Sequence, residues 1–149
     1  MSDTQTAAVP ALTIKRTFDA PRERVFSAFT NVDLLRQWFG APRMEVGEVT
    51  FDARNGGRYR IAMKAPDGEE YNVGGVISEF RAPEHFAYTF RWEEDDKSSE
   101  RDTFVSFDFI DRGKQTEMVM THSNLASEPS RESHASGWNS ALDKLDTVL

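Results

Sequence analysis

Apolar and polar positions change their period along this chain, and each change marks an element. Leu12, Ile14, Arg16 and Phe18 fall on one face and Thr13, Lys15 and Thr17 on the other, which predicts a first strand. Asp19-Ala20-Pro21 then starts a short helix: Asp19 is a capping residue type, Pro21 suits a first turn, and Val25, Ala28 and Phe29 give a buried side. That helix ends near Thr30. Asn31 restarts a second one, with Asp33 in its first turn, an apolar side of Leu34, Leu35 and Trp38, and a stop at Gly40 and Pro42.

Six alternating stretches follow, over residues 44–51, 57–64, 71–80, 85–92, 103–110 and 115–123. Turn residues separate them: Asn55-Gly56, Pro66-Asp67-Gly68, Pro83-Glu84 and Asp111-Arg112-Gly113-Lys114. Gly74-Gly75 reads as a bulge or sharp bend inside its strand. Residues 93–102 hold six acids against two bases and read as a solvated hairpin loop.

After a linker through Pro129 the period lengthens. Ala135, Trp138, Leu142, Leu145 and Leu149 recur at helical steps over residues 132–149, a helix of roughly 25 Å at about 1.5 Å per residue. No second long helix is present to cover that stripe, so it must pack on a sheet. Hairpin links are too short for parallel crossovers, so the strands form an antiparallel meander. The expected class is α+β, with the helices on one face of the sheet.

The 149 residues suit one domain, taken as 11–149, behind a small, polar leader at 1–10 that reads as disordered. Apolar residues make up only 38%, but eleven Phe compensate, because large rings bury much area each. The net charge of −7 argues against nucleic acid and anionic membrane as partners. There is no Cys, so thiol chemistry is excluded. The N-terminus lacks the basic and apolar regions of a signal peptide, and no run approaches membrane-spanning length. A cytoplasmic location without membrane insertion is the expectation.

The words of the sequence carry a resemblance. FDAPRERVFSAFTN at 18–31, LLRQWFG at 34–40, GGRYRIAM at 56–63, APDGEEYNVGG at 65–75, FRAPEHFAYTFRW at 80–92, TFVSFDF at 103–109 and HASGWNSALDKL at 134–145 occur in this order. In order and spacing the chain resembles the START-like, helix-grip superfamily, also called SRPBCC. Within it, the chain is most similar to the family of homologues of the heat shock protein 90 ATPase activator. The resemblance implies a curved seven-stranded antiparallel sheet wrapped around the long C-terminal helix, with two short helices after the first strand. It also implies an apolar cavity between sheet and helix.

The residues themselves also bear on such a cavity. Tyr59 and Met63, Phe90 and Trp92, Phe107, Met118 and Met120 share apolar parities on their strands. Trp138, Leu142 and Leu145 form the helix stripe, and Trp38 ends the second short helix. Rings and Met in this pattern fit an adaptable apolar site or a filled core. Three polar residues sit on the same parities: Arg16, Glu79 and His122. Either they reach solvent at strand ends, or they anchor the polar end of a ligand, since a buried charge needs a partner. Gly137 stands inside the helix at a cost of about 1 kcal/mol against Ala. Close approach to the sheet or room beside Trp138 would account for it.

No metal pair, phosphate loop, dinucleotide fingerprint or nucleophile elbow is present, so no cofactor, metal or catalytic residue is assigned. The expected function is binding of a small hydrophobic ligand, lipid-like or aromatic and polyketide-like. Two alternatives stand beside it. One is a polyketide cyclase-like or hydrolase-like enzyme using the same cavity. The other, from the family resemblance, is a co-chaperone-like regulator with a heat shock protein 90 homologue as partner.

Overall fold

The computed structural model describes residues 11–40, 43–93 and 102–149. The proposed leader and most of the acidic loop lie outside the described residues. Element order is β1 (Leu12–Phe18), α1 (Arg22–Thr30), α2 (Val32–Trp38), β2 (Glu45–Phe51), β3 (Arg58–Lys64), β4 (Glu70–Arg81), β5 (His85–Trp92), β6 (Thr103–Arg112), β7 (Gln115–Ser123) and α3 (Glu128–Val148). The strands form one seven-stranded sheet in the order β1-β7-β6-β5-β4-β3-β2, every neighbouring pair antiparallel. The meander and the α+β class follow the sequence reading.

Two expectations about helix starts change. Asp19 does not cap α1; Pro21 occupies that position and no side chain bonds the helix start. The Asn31 side chain does cap α2, accepting from the Leu34 N–H. The final helix begins a turn earlier than its apolar stripe suggests. Ser127 caps it by accepting from the Ser130 N–H, and Pro129 sits in the first turn, where a missing N–H costs nothing.

β4 corrects a parity. A register shift between Ile77 and Glu79 inserts one residue into the strand, and an inserted residue sends every later side chain to the other face. Glu79 therefore points outward, while Phe80 turns in. Gly74 and Gly75 precede that bulge and serve close backbone approach. A Cβ on Gly74 would stand 2.6 Å from the Tyr59 carbonyl oxygen, and one on Gly75 2.2 Å from that of Thr89.

The inner face of the sheet carries Tyr59, Ile61, Val73, Ile77, Phe86, Tyr88, Phe107, Phe109, Met118 and Met120, all buried. α1 presses Phe26 and Phe29 onto it. Phe26 meets Phe86 and Phe109 edge-on at 5.7 and 5.3 Å, and Phe29 lies 5.0 Å from Phe107. Edge-to-face pairs at these separations are favourable beyond their area. Trp38 covers this cluster from α2, its indole N–H donating to the Ala28 carbonyl at 2.8 Å. Leu142 and Leu145 of α3 are fully buried. The half of the grip beneath α1 and α2 is thus a solid aromatic core.

Polar contacts fix the C-terminal half of α3. Arg16 on β1 reaches Asp143 at 2.7 Å, Asp146 at 3.5 Å and Asn139 at 3.3 Å. Lys144 donates to the Phe39 carbonyl at 3.4 Å, and burial lowers its pKa.

Candidate functional site: a cleft at the open end of the grip

The other half of the grip is not filled. A half-open cleft of about 540 Å³ lies between the first turns of α3 and the far ends of β3, β4 and β5. This volume falls within the range of about 300–1,000 Å³ usual for small-molecule sites. Met63, Tyr71, Phe90 and Trp92 form the sheet side. Phe39, Gly40 and Met44 close the end beyond α2. Ser130, Ser133, His134, Gly137, Trp138 and Ala141 line the helix side.

Local sequence explains the space. Gly40 turns the chain with φ +90°, a conformation that favours glycine, and Met63 Sδ would lie 3.0 Å from any Cβ there. Gly137 has no such neighbour: a Cβ added there meets nothing within 4 Å. Of the two explanations for this glycine, close approach is excluded and open room beside Trp138 stands.

Hydrogen bonds orient the two indoles. Trp138 Nε1 donates to His122 Nδ1 at 3.1 Å, and His122 Nε2 faces Thr103 Oγ1 at 2.8 Å. Because Nδ1 accepts, the proton of neutral His122 lies on Nε2 and is donated to Thr103, whose hydroxyl donates in turn to the Phe90 carbonyl at 2.6 Å. Burial and then the neighbouring His134 push the His122 pKa down to about 3. Trp92 Nε1 donates to His134 Nε2 at 3.2 Å, and His134 Nδ1 donates to the Ser130 carbonyl at 2.8 Å. The two imidazoles meet edge-on at 4.9 Å. Each holds one tryptophan of the cleft in place.

Of the residues singled out in the sequence, Met63, Phe90, Trp92 and Trp138 come together here. Trp38, Phe107, Met118, Met120, Leu142 and Leu145 are buried in the solid half and do not line the cleft. Tyr59 is also core, stacked on Tyr88 at 4.3 Å with its hydroxyl donating to the Thr89 carbonyl. Burial, chiefly, raises its pKa well above the ordinary value and keeps that donor in place. None of the three polar anchors reaches the cleft. Arg16 is tied to α3, His122 lies behind Trp138, and Glu79 accepts from His85 Nε2 at 2.6 Å on the outer side. His85 Nδ1 faces Asp108 at 2.8 Å, so this imidazole bridges two carboxylates.

Ser130, Ser133 and His134 escape the sequence reading because it follows only the large apolar stripe of the helix, and Ser130 also precedes the start at residue 132. Ser127 with Pro129 two places on is a helix-start signal. Read that way, residues 130, 134, 137 and 141 form a second helical stripe beside Trp138. Tyr71, which opens the stretch read as a strand over 71–80, stands at the rim, 38% exposed.

A second hollow, about 660 Å³, lies among Arg58, Arg60, Arg91, Glu93 and Asp102 on the outer face. Arg60 pairs with Glu93 at 2.8 Å and Arg91 with Asp102 at 3.6 Å, so charges of both signs meet there. The Arg60 hydrogen bond holds the Glu93 carboxyl below its ordinary pKa. Among the described residues, no group of three or more His, Asp or Glu side chains is placed to hold a metal ion. No described helix is long and apolar enough to cross a membrane.

An antiparallel sheet gripping a C-terminal helix, with a cleft between them, defines a protein of the START-like, helix-grip class. Residues 19–149 match the family model described as Activator of Hsp90 ATPase homolog 1-like protein, and the chain belongs to that family. Solved structures agree on the fold. A protein from Chromobacterium violaceum is 22% identical, with a TM-score of 0.83 over 94% of this chain and 97% of its own. One from Silicibacter pomeroyi, described as an AHSA1 protein, is 25% identical, with a TM-score of 0.83 over 93% and 96%. One from Mycobacterium smegmatis is 23% identical, with a TM-score of 0.79 over 95% and 91%. No curated protein sequence matches the chain.

Proposed function

We propose that this protein binds a small hydrophobic molecule in the cleft between α3 and the sheet. The observation that carries the reading is the unfilled half of the grip. About 540 Å³ is left open beside Gly137, between two tryptophans whose orientations are fixed by hydrogen bonds, one buried and one part-buried. A core built only for stability would fill such space, since voids forfeit dispersion contacts. The walls are aromatic and thioether side chains, which adapt to flat or flexible apolar ligands. Membership of a family with this fold supports the same reading.

Titration of the protein with 2-naphthol, followed by tryptophan emission and by calorimetry, tests it. Saturable binding that is lost in Gly137→Phe supports the reading. Binding unaffected by that substitution, or none to any compact neutral aromatic, sinks it.

A cyclase-like or hydrolase-like reaction would need an acid–base group within hydrogen-bond reach of the ligand. Among the described lining residues the titratable side chains are Tyr71 and His134, and both His134 nitrogens are already engaged. Binding without turnover is therefore the better supported form. Regulation of a heat shock protein 90 homologue is a second reading, supported by the family match alone. A change in that chaperone's ATP hydrolysis on adding the protein is its measurement.

A further inference from the structure

Resting on the cleft as a ligand site, we infer that the site selects against anions: its ligand presents an uncharged polar group, such as a hydroxyl, amide or ketone, and not a carboxylate. The inference stands on the electrostatics of the lining. Among the described residues, no Lys, Arg, Asp or Glu lines the cleft. Its polar side is built from the Ser130 and Ser133 hydroxyls and His134 on the first turns of α3, with the Tyr71 hydroxyl at the rim.

His134 is the one imidazole in the described lining, and both of its ring nitrogens are engaged. Nε2 accepts the Trp92 indole N–H while Nδ1 donates to the Ser130 carbonyl, and the neutral tautomer with hydrogen on Nδ1 makes both bonds. The titratable group facing it from β7 is His122, with ring centres 4.9 Å apart, which is itself held neutral by accepting from Trp138. Neither imidazole presents a free N–H to a ligand, since each accepts from a tryptophan through one nitrogen and donates through the other. Among the described lining side chains a carboxylate would meet hydroxyls and no cation, and an unpaired charge taken out of water is strongly disfavoured. The chain's net charge of −7 adds a field of the same sign.

Near-isosteric probes isolate the charge. 2-Naphthamide and 2-naphthoate share shape and size and differ by one negative charge at pH 7.5. The expected result is that 2-naphthamide and 2-naphthol bind while 2-naphthoate binds at least tenfold more weakly. Ser133→Lys, which places an ammonium at the exposed rim, is expected to bring naphthoate to within threefold of the amide. Naphthoate binding the natural chain as tightly as naphthamide would overturn the charge selection and leave the ligand site standing. Failure of all three probes to bind would overturn the ligand site itself, and the selection with it.

Discussion

Trp138 and His122 form a buried pair in which the indole N–H donates to the imidazole Nδ1 at 3.1 Å. One residue comes from the first half of α3 and the other from β7, so this bond joins the helix to the sheet behind the cleft. It also fixes His122 as a neutral base. His122→Phe keeps a ring of similar bulk and removes the acceptor. The buried indole N–H loses its acceptor, while the Thr103 hydroxyl loses the His122 donor and keeps the Phe90 carbonyl, at an expected cost of about 1–3 kcal/mol in urea unfolding.

The same residue sets a pH dependence. Its pKa is lowered from 6.5 to about 3 on folding, mainly by burial. Between these values the unfolded chain binds the proton and the folded chain does not. Stability from this group is therefore complete above about pH 6.5 and falls as pH drops toward 3, by up to roughly 1.4 kcal/mol per pH unit. Urea unfolding at pH 7, 6, 5 and 4 measures it. Comparison with His122→Phe, whose slope should be shallower, separates the imidazole from the carboxylates that titrate nearby.

Gly137 separates stability from binding. Its Cβ position is open, so Gly137→Ala should stabilise the helix by about 1 kcal/mol. Gly137→Phe should leave the melting temperature within a few degrees and still abolish binding of 2-naphthol. A large loss of melting temperature in the alanine variant would show that the glycine serves close packing instead.

Arg16 tests the corrected polar anchor. Its side chain is 19% exposed and bonded to partners that are 74% and 50% exposed, so the ion pairs are largely screened. Arg16→Ala is expected to cost about 1 kcal/mol, less at high salt, and to leave ligand affinity unchanged.

Gly75 lies where the meander allows no side chain. Gly75→Ala would drive a Cβ into the Thr89 carbonyl, and the strand must separate from β5 to admit it. The expected loss is about 3 kcal/mol or more in urea unfolding, against a smaller effect for Gly56→Ala, whose Cβ position is open although its φ is +79°.

Much of the fold was legible because each element announced its period. β1, β5 and β7 keep the alternation read for them, and the α3 stripe from Trp138 to Leu145 is buried as its spacing demands. What failed depended on neighbours the chain meets only after folding. The inserted residue in β4 reversed the parity of Glu79, and nothing local distinguishes that insertion from the glycines before it. The apolar parities also could not separate lining from filling. Phe107 and Phe90 read alike, yet α1 covers one with Phe29 while the other faces the space beside Gly137. The site emerged where small residues, Ser130, Ser133 and Gly137, interrupt the helix face. A search for large side chains passes over such positions.

The most direct measurement is native mass spectrometry of the natural chain and of Gly137→Phe, each incubated with the same mixture of small neutral lipids and aromatic ketones. The natural chain is expected to carry one bound molecule per protein, and the variant, folded to the same melting temperature, none. Equal adducts on both proteins, or no adduct on either, would contradict a ligand site beside Gly137.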